Sequence, residues 1–105
     1  PSEVMLFRYS ALTFNGHRIH YDANYARAVE GYDGLVFHGP LTATLLIDLA
    51  KRKVGRSPKS FKFKALNPLT GMNVFHIEGS YETGAMDLWA RRYDGAKAME
   101  ARATF

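Results

Sequence analysis

"PLTATLLIDLAKRKV", residues 40–54, is the stretch on which the fold turns. Pro40 suits a first helical turn, where the N–H it lacks would have no partner anyway. Gly55 supplies a stop, and Lys51, Arg52 and Lys53 complement the negative end of the helix dipole. The first ten residues are apolar or small on nearly every side, which predicts a helix buried over most of its surface. Beyond Gly55 the pattern changes period from helical to two. In "SFKFKAL" (60–66), Phe61, Phe63 and Ala65 alternate with Lys62 and Lys64. In "NVFHIEGSY" (73–81), Phe75, Ile77 and Tyr81 oppose Val74, His76, Glu78 and Ser80. "AMDLWARRY" (85–93) alternates less cleanly, with Trp89 assigned to a core or an interface. In "AKAMEARATF" (96–105), Met99, Ala101, Ala103 and Phe105 are set against Lys97, Glu100, Arg102 and Thr104. These are four strands with one buried face. Thr83-Gly84 and Asp94-Gly95 are tight-turn pairs, so the last three strands form an antiparallel meander that the 59–66 strand joins. The class is α+β, a sheet wrapped around one long helix. Its open edges predict pairing with a second copy or a second domain.

The totals agree. A chain of 105 residues supports one domain, and 47% hydrophobic content is enough to build its core. No run approaches the roughly 20 apolar residues of a membrane helix, and no signal-like segment argues for secretion. A cytoplasmic location, or a mitochondrial one in a eukaryote, is the expectation. The absence of cysteine rules out disulfides, thiolate zinc sites and a cysteine nucleophile. Net charge is +4, with basic clusters at Lys51, Arg52, Lys53 and Arg56 and at Lys59, Lys62 and Lys64. Such clusters suit phosphates or an acidic carrier protein, or simply a solvated face. No nucleic-acid motif accompanies them, so no nucleic-acid partner is expected.

Upstream of the long helix, "EVMLFRYSAL" (3–12) predicts a short helix. "DANYARAVE" (22–30) predicts another, capped by Asp22 and ended by Gly31. Between them lies "TFNGHRIHYD" (13–22), the polar centre of the chain, and "HGP" (38–40) opens the long helix. His17, His20 and Asp22 are close enough to suggest a metal, with His38 and His76 as further ligands. No H-E-x-x-H pattern supports that reading, and no metal is expected. Ser10 and Thr13 lack the G-x-S-x-G surroundings of a nucleophile. Acid–base chemistry fits better. A histidine can take a proton near neutral pH, and an asparagine can hold a water or a carbonyl. A glycine N–H at a helix start can stabilise an oxyanion.

The wording "FRYSALTFNGHRIHYD" (7–22) with "HGPLTATLL" (38–46) resembles the MaoC-like hot-dog hydratase/dehydratase family, nearest its mesaconyl-CoA hydratase and hydroxyacyl-thioester dehydratase type 2 branch. The close match runs over about residues 7–46; the four strands agree in pattern only. The resemblance implies a hot-dog fold with the long helix at its centre. It implies an (R)-specific hydratase/dehydratase, a hydro-lyase that interconverts 2-enoyl and 3-hydroxyacyl thioesters. It places His20 on the catalytic histidine, Gly39 on the oxyanion-hole glycine and Asn15 where the family usually has aspartate. It leaves Tyr9, His17, Arg18 and His38 as candidates for contacting substrate, each with a structural alternative. An amide at Asn15 cannot shuttle a proton, so His20 must carry the proton transfer more fully, with Asn15 orienting water or substrate.

No cofactor is implied beyond the CoA or acyl-carrier thioester that is itself the substrate. The implied partner is a second copy, in a homodimer or higher oligomer, or a second hot-dog domain. Residues 1–105 then form a single hot-dog domain, or the C-terminal part of a longer or double hot-dog protein. A complete hot dog has a strand before its central helix, which here is missing or lies within residues 3–9. Two other functions compete: a thioesterase, for which no well-placed carboxylate is seen, and a non-catalytic thioester-binding or structural half.

Overall fold

A computed structural model describes residues 1–105 and divides them into two compact units. The first comprises Pro1–His38 and Pro68–Val74; the second comprises Gly39–Asn67 and Phe75–Phe105.

In the first unit, helix α1 (Glu3–Leu12) begins at Ser2, whose side chain accepts from the Met5 N–H. The predicted helix is therefore present, and no strand lies within residues 3–9. A 3₁₀ turn (Arg18–His20) follows, and then α2 (Ala23–Ala28). Asp22 caps α2 by accepting from the Tyr25 N–H at 3.0 Å, which satisfies one of the orphan donors of the first turn. Ile19, Ala26 and Val36 form a small core with Tyr25 and Tyr32 packed against it.

Residues 35–37 run through this unit as its backbone clamp. On one side, Phe37 N–H donates to Leu69 and Gly71 N–H donates to Leu35, around a bridge between Val36 and Thr70. On the other, Val36 N–H donates to Ile19 in the 3₁₀ turn. The two segments cross so closely at Gly34 that a Cβ there would lie 2.9 Å from the Gly71 Cα. Glycine at position 34 is thus a packing requirement.

The second unit holds α3 (Gly39–Val54) and the strands β1 (Ser60–Ala65), β2 (His76–Glu82), β3 (Ala85–Arg91) and β4 (Lys97–Thr104). The sheet order is β1-β4-β3-β2, antiparallel throughout. The β2–β3–β4 meander and the membership of β1 in the same sheet match the sequence reading, which did not say that β1 lies beside β4. The helix ends at Gly55, whose N–H reaches the Lys51 carbonyl from a left-handed backbone at φ 84°.

The face that meets the helix is graded in size. Cross-strand rows run Phe61–Ala103–Met86–Tyr81 and Phe63–Ala101–Leu88–Gly79. Alanines on the central β4 let α3 approach, and larger side chains flank it. The helix contributes Ala43, Leu46, Leu49 and Ala50, all buried.

Two details refine the sequence reading. Thr44 and Asp48 are exposed, and Leu45 and Ile47 are only half-buried, so α3 is buried along one side rather than all round. Trp89 lies on the sheet face opposite this core, because Met86, Leu88 and Ala90 take the inward positions. Its Nε1–H donates to Glu78 at 2.9 Å and the Lys97 ammonium sits 5.3 Å over its ring, which accommodates an aromatic on a solvated face. A register shift between Ala90 and Arg91 marks a bulge that the alternation did not reveal.

Candidate active site

His20 is positioned by the clamp just described. It ends the 3₁₀ turn, is 8% exposed, and places Nδ1 2.7 Å from the Val36 carbonyl oxygen. A carbonyl only accepts, so Nδ1 carries the proton. The other nitrogen, Nε2, is then the one with the lone pair. Burial holds the His20 pKa below its ordinary value and nearby His17 pushes the same way, while the Val36 bond opposes them. The imidazole is neutral at pH 7, the form a general base needs.

His38 lies face to face with His20, ring centres 3.8 Å apart and planes 18° from parallel. Its Nε2 is 2.7 Å from Ser10 Oγ, and the Tyr9 ring meets it edge-on at 4.6 Å. Ser10 and His38 are 5% and 1% exposed. Burial, reinforced by the charge that His20 can carry, depresses the His38 pKa to about 4. A Ser–His pair at this distance has the shape of a nucleophile and its base. A histidine that weak takes a hydroxyl proton poorly at neutral pH, which argues against that use of the pair.

Asn15 follows α1 through a left-handed Phe14 (φ 54°) and donates its N–H to the Ser10 carbonyl at 2.8 Å. Its Oδ1 accepts from the His17 N–H at 3.1 Å, an Asx turn that starts the 3₁₀ segment. Ser10 and Asn15 line one shallow groove of about 290 Å³, walled by Phe7, Ala11, Phe14 and Tyr21. Phe14 is 95% and Phe7 61% exposed, so the groove has an apolar lip. The His17 ring is exposed, 5.9 Å from that of His20. Arg18 makes an ion pair with Asp22 at 2.9 Å and lies 4.2 Å over the Tyr25 ring. Gly39 is joined to His38 by one peptide bond and is the first residue of α3. Its φ is not left-handed and an added Cβ would meet nothing within 4 Å. Neither packing nor backbone geometry requires glycine there, whereas close approach of a ligand to its N–H would.

The structure thus brings Tyr9, His17, His20 and His38 into one series of ring contacts, sets Asn15 at the adjoining groove, and turns Arg18 toward Asp22. Sequence reasoning missed the part played by Ser10 and by the Val36 carbonyl. They lie 28 and 16 residues from the histidines they hold, and no local pattern signals such pairings. No three histidine or acidic side chains are gathered where one metal ion could be held. No helix is long and apolar enough to cross a membrane.

Comparison with known proteins now adds to this geometry. The family model of hydroxyacyl-thioester dehydratase type 2 matches residues 1–71. The chain belongs to the hydroxyacyl-thioester dehydratase type 2 family. Among curated relatives of this family member, a mesaconyl-C(4)-CoA hydratase of Chloroflexus aurantiacus is 46% identical over 101 residues, covering 96% of this chain and 36% of that protein. A mitochondrial hydroxyacyl-thioester dehydratase type 2 of Schizosaccharomyces pombe is 38% identical over 96 residues, covering 89% of this chain and 31% of its own length. The chain therefore spans about a third of the length of the curated relatives it matches. The solved (R)-hydratase of A. caviae superposes with a TM-score of 0.77 at 15% identity, over 97% of this chain and 84% of that one. The fold is that of the hot-dog hydratases, as the resemblance implied.

Proposed function

We propose that the chain carries the active site of an (R)-specific hydratase/dehydratase that interconverts 2-enoyl and 3-hydroxyacyl thioesters. The observation that carries the reading is the His20 Nδ1–H···O=C bond to Val36, which presents a neutral Nε2 as base. In hydration, the thioester carbonyl accepts from the Gly39 N–H. His20 Nε2 removes a proton from a water oriented by Asn15, and the oxygen adds to Cβ. The electron pair of the double bond moves to the Cα–carbonyl unit as an enolate. The enolate then takes a proton at Cα from the His20 imidazolium, which restores the neutral base. Dehydration runs the same path backwards. Asn15, being an amide, orients but does not carry the proton, so one imidazole performs both transfers. No cofactor enters this scheme; CoA or an acyl carrier supplies the thioester.

The apolar groove of Phe7, Ala11, Phe14 and Tyr21 favours an acyl chain near Asn15. Tyr9, His17 and Arg18 are the candidates for substrate contact, with Arg18 suited to a phosphate if it leaves Asp22, whereas buried His38 has little surface to offer one. The exposed Lys51, Arg52, Lys53 and Arg56 suit the phosphates of CoA or an acidic carrier. Residues 1–105 form one hot-dog domain in this reading, paired with a second copy or a second hot-dog domain. The edge strand β1 favours such pairing, since Phe63 and the adjoining Leu66 are 53% and 40% exposed. The compartment is the cytoplasm, or the mitochondrion in a eukaryote.

Loss of the enoyl-thioester absorbance on mixing with crotonyl-CoA tests the reading, with His20→Ala as control. Release of free thiol instead would assign a thioesterase, and binding without turnover a non-catalytic half.

A further inference from the structure

We propose that His38, oriented by Ser10, is a positioning residue for His20: it fixes the ring plane of the base and so the direction of its Nε2 lone pair. The inference rests on the hydratase reading for the role of His20, but its geometry stands by itself. One hydrogen bond from Nδ1 to Val36 pins a single atom of the His20 ring. The ring can still rock about that N···O line, which would swing Nε2 through an arc. A flat side chain 3.8 Å away and nearly parallel removes that freedom.

His38 is itself fixed from α1. The Ser10 hydroxyl holds its Nε2 edge, and the neighbouring Tyr9 ring abuts it. Ser10, His38 and His20 are all under 9% exposed, so no water layer separates the parts. With 1% of its surface exposed, His38 has little left to offer a substrate directly.

The electrostatics support this division of labour. His38, depressed to about 4, stays neutral over the working range of a base. When His20 takes a proton, it does so against a neutral face rather than a like charge. The titratable groups that act on His20 are His17, at its edge, and His38, across the stack; no carboxylate contributes. Protonating both rings together is disfavoured, because each is buried and faces the other.

The test reads His20 directly. Imidazole ¹H–¹⁵N spectra report the tautomer and titration of His20 in the wild type, His38→Gln, His38→Phe and Ser10→Ala, alongside kcat and KM for crotonyl-CoA. In the wild type His20 shows the Nδ1–H tautomer. In His38→Gln the Val36 bond still keeps the Nδ1–H tautomer, but the freed ring rocks, so the His20 ring signals broaden or split and titrate at a different pH, kcat falls on the order of 10–100-fold, and KM stays within about twofold. His38→Phe keeps the flat face and restores the single sharp set of ring signals and much of kcat. Ser10→Ala, which keeps His38 but releases it, falls between. A single sharp set of His20 ring signals with unchanged titration in folded His38→Gln and Ser10→Ala overturns the inference, whatever turnover does. A KM change with kcat intact also overturns it, by making His38 a substrate contact. Should the wild type show no turnover, the spectra still decide the positioning claim while the hydratase reading falls separately. Should His38→Gln fail to fold, Ser10→Ala decides.

Discussion

Acidification should destabilise this fold well above the pH at which its carboxylates protonate, and the stacked histidines are the cause. An unfolded chain titrates His38 near 6.5, whereas burial and the His20 charge depress it to about 4 in the folded chain. His20 is shifted in the same direction. The unfolded state thus binds more protons than the folded state in this window, and stability falls as pH falls. The contribution is fully present above pH 6.5 and is lost progressively as the solution is acidified toward about 4. Each pH unit across that window corresponds to about 1.36 kcal/mol, so moving from pH 7.5 to pH 5 costs at most about 2 kcal/mol from His38. Against a total stability of roughly 5–15 kcal/mol that is a large loss. Urea unfolding followed by tryptophan fluorescence at both pH values measures it, and His38→Phe provides the control. The wild type should lose stability between them and the variant should lose distinctly less. Equal stability of the wild type at pH 7.5 and pH 5 would refute the reasoning, as would an unaltered slope in His38→Phe.

Gly34→Ala should destabilise by about 1–3 kcal/mol, because its new methyl meets the Gly71 backbone at 2.9 Å rather than a side chain that can turn away; thermal unfolding checks this. The same substitution should weaken the Val36 clamp and lower turnover even where the protein stays folded. Asn15→Ala removes the acceptor of the His17 N–H. It should cost about 0.5–1.5 kcal/mol and reduce kcat, whereas Asn15→Asp keeps the acceptor and should retain the fold. Circular dichroism and turnover on the two variants separate these effects. Arg18→Ala should leave thermal stability nearly unchanged, because its pair with Asp22 is solvent-exposed. A several-fold rise in KM for CoA substrates in that variant would mark Arg18 as a phosphate contact.

Most of the second unit was legible because its information is local. Gly55 and the lysines mark the end of α3, and the period-two runs mark all four strands. Of the two places read for Trp89, core or interface, the core is not the one it takes, and its partners Glu78 and Lys97 come from other parts of the sheet. The half-exposed flank of α3 was not visible because composition says how apolar a helix is, not what covers it. At the site, the wording around His20 and Gly39 singled out the candidate residues. The device that holds His20 could not be read. The Val36 clamp is a single bridge without alternation, and the Ser10–His38 bond joins side chains 28 residues apart. Residues in contact through the fold leave no spacing to detect.

Steady-state turnover of 2-enoyl-CoA by the wild type and by His20→Ala tests the central claim most directly. The wild type should hydrate the double bond without releasing free thiol, and His20→Ala, shown folded by circular dichroism, should be slower by about 10²–10⁴-fold. Turnover of the folded variant within a few-fold of the wild type would contradict the assignment of His20 as the base.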